Sequence, residues 1–534
     1  MKKVSILGVL VVVSLFVASF AFADITVTNA SGESITFTDE EIGTIVTSGE
    51  KPFEGVTVTV TVNEGGPKGG ISGPLYEWRD TWEQLTGAKL NIVEIPYAEH
   101  YPKVMTDLYT GTGQFDAFMI GSDWMGELIA GEYIIPVDDY IKDPRFPKWD
   151  PDALPPSIRT LYTWGDKWYG VLNDCDGQVL YYRKDILNNP DYRVQFKEKH
   201  GYEYNIPPKT WDELYDISEF FNGWDWNDDG EADSGIVMHL KVGAQGMYHY
   251  VSLSAPFCIL PGEKVDKYHN VYWFDPEDMT PLINDEGHIK ALDFQLKLAK
   301  TGPDAQVAWS LGEAWDYFLR GKAIFCFSWG DLGSLAQDEA RSKVKGKIGC
   351  SILPGCYEVY DRSQGQFVKF DDPVVWGNTT GGSWHGVISV LSKNPEATYH
   401  LLAFHATNKI SLWNAQRGWT GVDPGVKFHF LPPYGTASLD DYVANGFHPE
   451  DAKEYLDAYY ENFFATNIVP YLRIPGGNEY WVALDRHLSE AYTGALSAQE
   501  ALDRVARDWE DITNRYGREE QLKVYQESIG YQPE

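Results

Sequence analysis

Aromatic rings that stand beside carboxylates are the residues of this chain whose chemistry is easiest to specify. The chain contains 19 Trp and 33 Tyr. A sugar offers hydroxyls that need hydrogen bonds and flat C–H faces that stack on rings, so a sugar site combines such rings with carboxylates and amides. Asp123 with Trp124 is one such pair, and Trp329 with Asp331 is another. Most aromatic rings pack in cores or on surfaces whatever the function of a protein, so the position of each ring must decide whether it contacts a ligand.

The acidic run from Asp225 to Asp233 has the spacing of a calcium-binding loop. Side-chain oxygens stand at its first, third, fifth and ninth positions, a glycine at its sixth, and a backbone carbonyl is available at its seventh. Ile236 replaces the glutamate that usually ends such a loop, so water or another acid would complete the shell. We expect a structural calcium ion, with a solvated acidic turn as the alternative. The predicted ligands are Asp225, Asn227, Asp229, Glu231 and Asp233.

Composition and length narrow the class of protein. A net charge of −34 argues against nucleic acid as a partner. A chain of 534 residues needs more than one core, because single cores stop growing at about 250–300 residues. The five cysteines are too few for a disulfide framework and show no CxxC spacing. Cys350 and Cys356 could form a disulfide, and separate buried thiols are the alternative.

The first residues read as a cleavable signal peptide. Lys2 and Lys3 precede an apolar run that ends in Ala21-Phe22-Ala23, which predicts cleavage after Ala23. The first cysteine is Cys175, so no cysteine stands at the cleavage point to carry a lipid. No later apolar run is as long. We therefore expect a protein that does not span a membrane and is released into the periplasm or secreted.

The elements that must position the paired residues follow an α/β pattern. After an extension over residues 24–55, strict alternation from Val56 to Val62 predicts a strand that ends at Asn63-Glu64-Gly65-Gly66. Apolar residues at helical spacing from Leu75 to Leu85 and a strand from Lys89 to Ile95 complete a β-α-β unit. A strand over 115–120 leads into Asp123, at the kind of strand-to-helix loop where open sheets bind ligands.

Two capping boxes predict helix starts later in the chain. Thr210 with Glu213 opens a helix that Gly223 should close. Ser497 with Glu500 opens an amphipathic helix at the C-terminal end of the chain.

Eight segments, in this order, resemble the bacterial extracellular solute-binding family that includes maltodextrin-binding proteins. The likeness spans most of the chain from Val56 onward. The segments are Trp82–Gly87, Asp116–Trp124, Gly131–Asp138, Leu180–Leu187, Lys209–Leu214, Gly321–Ile324 before Trp329, Ile352–Gly355, and Gly381–Ser392.

The resemblance implies an α/β, two-lobed periplasmic-binding-protein fold of type II, with a hinge that the chain crosses several times. It places one crossing near 170–178 and a return near 384–391. One lobe would comprise 56–172 and about 387–434, and the other about 178–384 and 435–534. The chain exceeds the common pattern by the extension and by inserts that we place near 247–285 and 358–375.

The resemblance also implies ligand-binding residues. Asp123 and Asp176 correspond to sugar-binding carboxylates, with a helix N-cap and a hinge hydrogen bond as their respective alternatives. Trp124 replaces a basic residue that is common in the family. Trp329, offset by one residue, and Trp481 correspond to stacking positions, and Trp384 follows the double glycine of the return crossing; core packing is the alternative for each. The remaining candidates are Asn63 and Glu64, which are otherwise turn residues, His239 and Asp331.

Two classes of function stay open at this point. The family likeness implies a substrate-binding protein of an ABC importer, a monomer without organic cofactor, which captures a mono- or oligosaccharide or a polyol and delivers it to the permease subunits. A secreted glycosidase is the alternative, because Asp123, Asp176 and Asp331 could supply paired carboxylates. The chain contains no HExxH, GxSxG or P-loop motif.

Overall fold

The protein is described by a computed structural model over residues 24–47 and 49–533. The signal peptide predicted for residues 1–23 lies outside this described part. Among the described helices, none combines the length and the apolar character that a membrane crossing requires.

Strands and helices alternate from residue 57 to residue 130, later elements come in runs of one kind, and the elements after residue 388 are helices. The strands are β1 Ile25–Thr28, β2 Ser34–Phe37, β3 Thr57–Asn63, β4 Lys89–Ile95, β5 Ala117–Ile120, β6 Thr163–Trp164, β7 Lys167–Trp168, β8 Val179–Arg183, β9 Ser234–Val237, β10 Ala323–Ser328, β11 Ile348–Ser351, β12 Cys356–Asp361, β13 Gln366–Val374 and β14 His385–Ile388. The helices are α1 Asp39–Ile42, α2 Thr44–Thr47, α3 Gly73–Thr86, α4 Tyr97–Thr110, α5 Met125–Ala130, α6 Asp138–Lys142, α7 Pro156–Tyr162, α8 Lys184–Leu187, α9 Pro190–His200, α10 Trp211–Phe221, α11 Met247–Cys258, α12 Glu286–Ala299, α13 Leu311–Leu319, α14 Gly330–Leu335, α15 Pro395–Ala406, α16 Asn408–Ala415, α17 Leu439–Ala444, α18 Pro449–Phe463, α19 Gly477–Tyr492, α20 Ala498–Tyr516 and α21 Arg518–Ile529. Short 3-10 helices cover Ser122–Trp124, Pro151–Ala153, Asp304–Ala308, Gly418–Thr420 and Lys427–His429.

A four-stranded sheet in the order β14-β5-β3-β4 forms the centre of one lobe. β4 and β5 pair parallel to β3 on its two sides, and β14 pairs antiparallel to β5, with His385 opposite Ile120. The C-terminal ends of β3 and β5 and the start of β14 therefore lie at one edge of the sheet. Asn63 is the last residue of β3, Asp123 follows β5 by three residues, and Trp384 directly precedes β14.

A second four-stranded sheet, in the order β11-β8-β10-β9, forms the centre of the other lobe. β9 runs parallel to β10, whereas β8 runs antiparallel to it and begins with Val179 opposite Ser328. Asp176 enters this edge before β8, and Trp329 leaves it after β10. The two-lobed α/β fold is thus confirmed, and the chain crosses between the sheets before β8 and again before β14. The residue limits given for each lobe remain a prediction.

Several predicted elements form with their predicted caps. Gly87 ends α3 in the left-handed conformation, and Ser497 and Glu500 make a complete capping box at α20. At α10, Thr210 accepts from Glu213 N, but the Glu213 carboxylate accepts from Asn205 N and Lys209 N instead of returning to the cap. Asn222 rather than Gly223 follows the end of that helix. The chain continues into α21 after α20, so it ends on two helices rather than one.

The described residues of the extension pack against α3 and α16. The β1–β2 hairpin is followed by α1 and α2, and Trp413 Nε1 donates to the Glu33 carboxylate at 2.9 Å while Thr81 Oγ1 donates to Thr28 O at 2.6 Å. The two segments predicted as inserts differ in kind, since α11 is buried over its whole length and β12 and β13 form a hairpin with exposed residues. All five cysteines are buried, and none of them is paired.

Candidate functional site

A cleft of about 380 Å³ lies where the edges of the two sheets face each other. Six of the ten predicted ligand residues line it, from both lobes and from both crossings: Asn63, Glu64, Asp176, Trp329, Asp331 and Trp384. The lining also contains Trp315 and Trp419, which gives the cleft four indole rings in all. Carboxylates outnumber cationic groups, because Glu64, Asp174, Asp176 and Asp331 face only Lys68 and Arg341.

Trp329 is held rigidly at the start of α14. Its Nε1 donates to Thr380 O at 2.7 Å, and Tyr181 Oη donates to its carbonyl at 2.9 Å. The His239 ring lies 5.4 Å from the indole, centroid to centroid, at an interplanar angle of 33°. A ring with a fixed rotamer can stack on a sugar face without losing side-chain entropy on binding.

The return crossing carries a run of unusual backbone at Gly381, Gly382 and Ser383. Their φ angles are 112°, 82° and 47°. A Cβ on Gly381 would stand 2.6 Å from both Asp176 Cγ and Trp329 Nε1, so only glycine fits between these two site residues. Ser383 Oγ accepts from Asp176 N at 3.0 Å. This crossing therefore fixes the positions of a carboxylate and an indole at the same time.

A glycine-rich loop after β3 forms another part of the lining. The Glu94 carboxylate accepts from Gly65 N at 3.0 Å and from Gly66 N at 2.6 Å, which holds the loop down. Gly70 N donates to Trp419 O at 2.9 Å, so the loop positions the Trp419 indole as well. The 3-10 helix that carries Trp419 contacts α14, because a Cβ on Gly418 would stand 2.7 Å from Leu335 N. Gly418 and Leu335 both line the cleft.

Three buried carboxylates converge beside the cleft, at Asp174, Asp176 and Asp423. One oxygen from each lies within 4.8 Å of the others. Burial raises the pKa of all three well above its ordinary value, and their mutual repulsion adds to the effect. Burial also raises the pKa of neighbouring Asp331 to about 7. Among the described residues, none of these four carboxylates forms an ion pair with a Lys, Arg or His.

The other four predicted ligand residues lie behind the lining. Burial raises the pKa of Asp123 to about 7, and the carboxylate lies near Tyr97 and Tyr248. Trp124 packs edge-on against Trp384, at 6.4 Å between centroids. Contact with a ligand in this cleft would require the lining to move.

His239 and Trp481 are likewise buried in the second layer. His239 shares a hydrogen bond of 2.8 Å with His249, and burial lowers its pKa to about 3, so it packs as a neutral ring behind Trp329. Trp481 packs among Tyr248, Trp273 and Tyr471 at 4.9–5.7 Å between centroids. The neighbours of Trp481 are thus those of a core residue.

Several residues that form the site were not predicted from the sequence, among them Asp174, Trp315, Trp419 and Gln245. Asp174 stands two residues before Asp176 in an extended crossing, so alternation alone could have placed the two side chains on one side. Trp315, Trp419 and Gln245 carry no local signal in the sequence. Gln245 adopts a φ of 68°, a strained conformation that is common at binding sites.

The predicted calcium loop surrounds a lysine side chain in the structure. Lys322 Nζ lies 2.6 Å from Asp229 Oδ1, 3.1 Å from Glu231 Oε2 and 3.5 Å from Asp233 Oδ1. The Asp225 carboxylate accepts from Asp229 N and Gly230 N, which folds the loop tightly. A calcium ion bound here would have to displace this ammonium group.

Comparison with known proteins places these features in a family. The family model for bacterial extracellular solute-binding proteins matches residues 77–424. A probable ABC transporter-binding protein of Deinococcus radiodurans is 24% identical over 333 residues, which cover 61% of this chain and 66% of the relative. The chain thus matches just under two thirds of the length of that relative.

Solved structures share the fold. A solute-binding protein of Agrobacterium radiobacter in complex with ribitol is 20% identical and superposes with a TM-score of 0.65, covering 86% of this chain and 100% of its own. A maltose-bound protein of T. maritima is 20% identical, with a TM-score of 0.60 over 86% of this chain and 100% of its own. Since the family model covers more than half of the sequence, the chain belongs to the bacterial extracellular solute-binding protein family.

Proposed function

We propose that this protein is the extracytoplasmic substrate-binding protein of an ABC importer, and that it captures a mono- or oligosaccharide or a related polyol between its lobes. The observation that carries the proposal is the cleft lined by four indoles and by carboxylates from both lobes. The rings supply stacking surfaces, and the carboxylates accept hydrogen bonds from hydroxyl groups. A sugar or polyol carries many hydroxyl groups and therefore needs many such acceptors. Ribitol and maltose in the two similar structures support the same ligand class.

Capture would proceed by lobe closure. A ligand that contacts both lobes stabilises the closed arrangement relative to an open one. The population of the closed arrangement then rises according to the difference between the ligand's affinities for the two arrangements. Under this proposal, the close approach of Gly418 to Leu335, both of which line the cleft, would belong to the closed arrangement. We propose that the closed monomer then docks on the permease subunits outside the cytoplasm.

A glycosidase needs two carboxylates about 5 to 9.5 Å apart on either side of the scissile bond. Beside the cleft, Asp174, Asp176 and Asp423 bring oxygens within 4.8 Å of one another, which is closer than this range. The four indoles of the cleft supply stacking surfaces for a sugar, and the matching family is one of solute-binding proteins. Binding without turnover is therefore the function that we favour.

A panel of carbohydrates tests this proposal. Ribitol, mannitol, xylose, glucose, maltose and maltotriose would be screened by thermal shift and then by calorimetry, with glycine and glutamate as controls. We expect one carbohydrate class to bind saturably; at 100 times its Kd it adds about 2.7 kcal/mol to the free energy of unfolding. Chromatography of the mixture should show the sugar unchanged. Release of a hydrolysis product would support the glycosidase instead, and stabilisation by the amino acids alone would contradict the ligand class.

We also propose that the loop from Asp225 to Asp233 binds a structural calcium ion in competition with Lys322. The substitution Lys322→Met removes the competing ammonium, so it should enlarge the rise in Tm that calcium causes after chelator treatment. Adding Asp225→Asn to Lys322→Met removes a loop ligand and should cancel this enlargement of the rise. If calcium leaves the Tm of both the wild type and Lys322→Met unchanged, the loop is an acidic turn neutralised by lysine.

A further inference from the structure

The carboxylates of Asp174, Asp176 and Asp423 form a cluster that the proposed sugar contacts do not explain. Asp174 and Asp423 are 2% and 1% exposed, and Asp176 is 7% exposed. A sugar hydroxyl hydrogen-bonds to a carboxylate but brings no charge to compensate three carboxylates removed from water. Such a cluster is either protonated or paired with a cation.

Hydrogen bonds fix the orientation of two of these carboxylates. Asp174 Oδ1 accepts from Cys175 N at 2.7 Å and from Asp423 N at 2.8 Å. Asp423 Oδ2 accepts from Gly330 N at 2.7 Å and from Tyr459 Oη at 3.0 Å. The contacts with Gly330 and Tyr459 hold Asp423 against the start of α14, across from the crossing that carries the other two residues.

Two oxygens of the cluster have no hydrogen-bond donor in the part of the chain that the structure describes. Asp176 Oδ2 and Asp423 Oδ1 are buried and accept no hydrogen bond from any described residue. A buried carboxylate oxygen without a donor is costly, and native structures fill such positions with a proton donor, a water or an ion. Here two such oxygens belong to carboxylates that converge on one point.

We infer that Asp174, Asp176 and Asp423 form a binding site for a hard divalent cation, with calcium as the best fit, on the wall of the cleft. Calcium takes six to eight oxygen ligands at about 2.3–2.6 Å, so ligands on opposite sides of the ion stand about 5 Å apart. Oxygens within 4.8 Å of one another can all reach one such ion. Magnesium needs shorter distances and stricter octahedral geometry, and oxygen ligands alone do not favour zinc.

Access to the cluster favours an atomic ion over an organic ammonium group. Asp174 and Asp176 reach the cleft lining, whereas Asp423 lies behind them. A cation could therefore enter from the cleft, and water or hydroxyl groups from that side would complete its shell. This inference goes beyond the proposed function and does not depend on it, because the metal would bind without a sugar.

Calorimetric titration tests the site in an Asp225→Asn background, which removes any contribution from the loop. After chelator treatment, calcium chloride at pH 7.5 should bind with a stoichiometry of one. The additional substitution Asp423→Asn should lower calcium affinity at least 10-fold. It should also raise the Tm of the metal-free protein, because one buried negative charge is removed, and this rise shows that the variant is folded.

Two calorimetric results would overturn the site: no calcium binding in the Asp225→Asn protein, or unchanged calcium affinity after Asp423→Asn. A thermal shift with glucosamine but none with calcium would also overturn it. That result would assign the cluster to an ammonium group of the ligand. A second pair compares Asp176→Asn with the exposed Asp316→Asn, and only the former should weaken calcium binding. Sugar binding is measured in a separate experiment. The results can therefore contradict the metal site and support sugar binding, or contradict sugar binding and support the metal site.

Discussion

Replacing Gly381 by alanine is expected to abolish ligand binding and to lower the free energy of unfolding by about 2–5 kcal/mol. The backbone at Gly381 has a φ of 112°, where an L side chain is strained. The added Cβ would also stand 2.6 Å from Asp176 Cγ and from Trp329 Nε1. Neither neighbour can withdraw easily, since Trp329 is 3% exposed and its Nε1 is bonded to Thr380 O. The site must therefore open, or the crossing must shift.

Gly446→Ala is the matched control for this prediction. Gly446 has a φ of 95° and no heavy atom within 4 Å of its hypothetical Cβ, so it isolates the backbone strain from the steric clash. Chemical denaturation should show a loss of about 1–2 kcal/mol for Gly446→Ala, with unchanged ligand affinity. Equal losses of stability for the two variants, with ligand binding retained in both, would contradict the role that we assign to Gly381.

The sheets of this fold could be predicted because their signals are local. Alternation over Val56–Val62 and the apolar face from Leu75 to Leu85 correspond to β3 and α3 within one or two residues, and β4 has the predicted limits. The Ser497 box forms because both of its partners lie within one turn. The Glu213 half of the other box does not, because the preceding loop supplies donors that its carboxylate prefers.

Elements that depend on distant packing were not predicted. Every residue of α11, Met247–Cys258, is buried, so the helix has no polar face and shows no amphipathic period. The division between α20 and α21 depends on Gly517, whose φ of 93° ends a helix that the apolar spacing alone does not end.

The residues of the candidate site likewise divide into those that the sequence could predict and those that it could not. Asp176 and Trp329 could be placed because the segments around them resemble a family. Asp423 could not, because its partner Asp174 stands 249 residues earlier and only the folded chain brings them together. The sequence likewise assigned Trp329 and Trp481 the same role, although one lines the cleft and the other packs behind it.

Substituting these two tryptophans should therefore have different effects. Trp329→Ala is expected to weaken binding of the best ligand in the carbohydrate panel by at least about 1 kcal/mol, or 5-fold or more in Kd, because it removes a stacking surface. Trp481→Ala leaves a cavity among Tyr248, Trp273 and Tyr471, so it should cost about 3–5 kcal/mol of unfolding free energy. Its effect on Kd should be the smaller of the two. Calorimetry below both transition temperatures gives the Kd values, and denaturation gives the stabilities.

Phenylalanine variants at the same positions separate the polar contribution from the packing. Trp329→Phe loses the hydrogen bond from Nε1 to Thr380 O, which fixes the ring in the cleft, so both affinity and stability should fall. Trp481 Nε1 is buried and has no acceptor among the described residues, so Trp481→Phe removes an unsatisfied donor and should cost much less than Trp481→Ala. If Trp481→Phe weakened ligand binding as strongly as Trp329→Phe, Trp481 would have to contact the ligand, and the lining would have to move on binding to expose it.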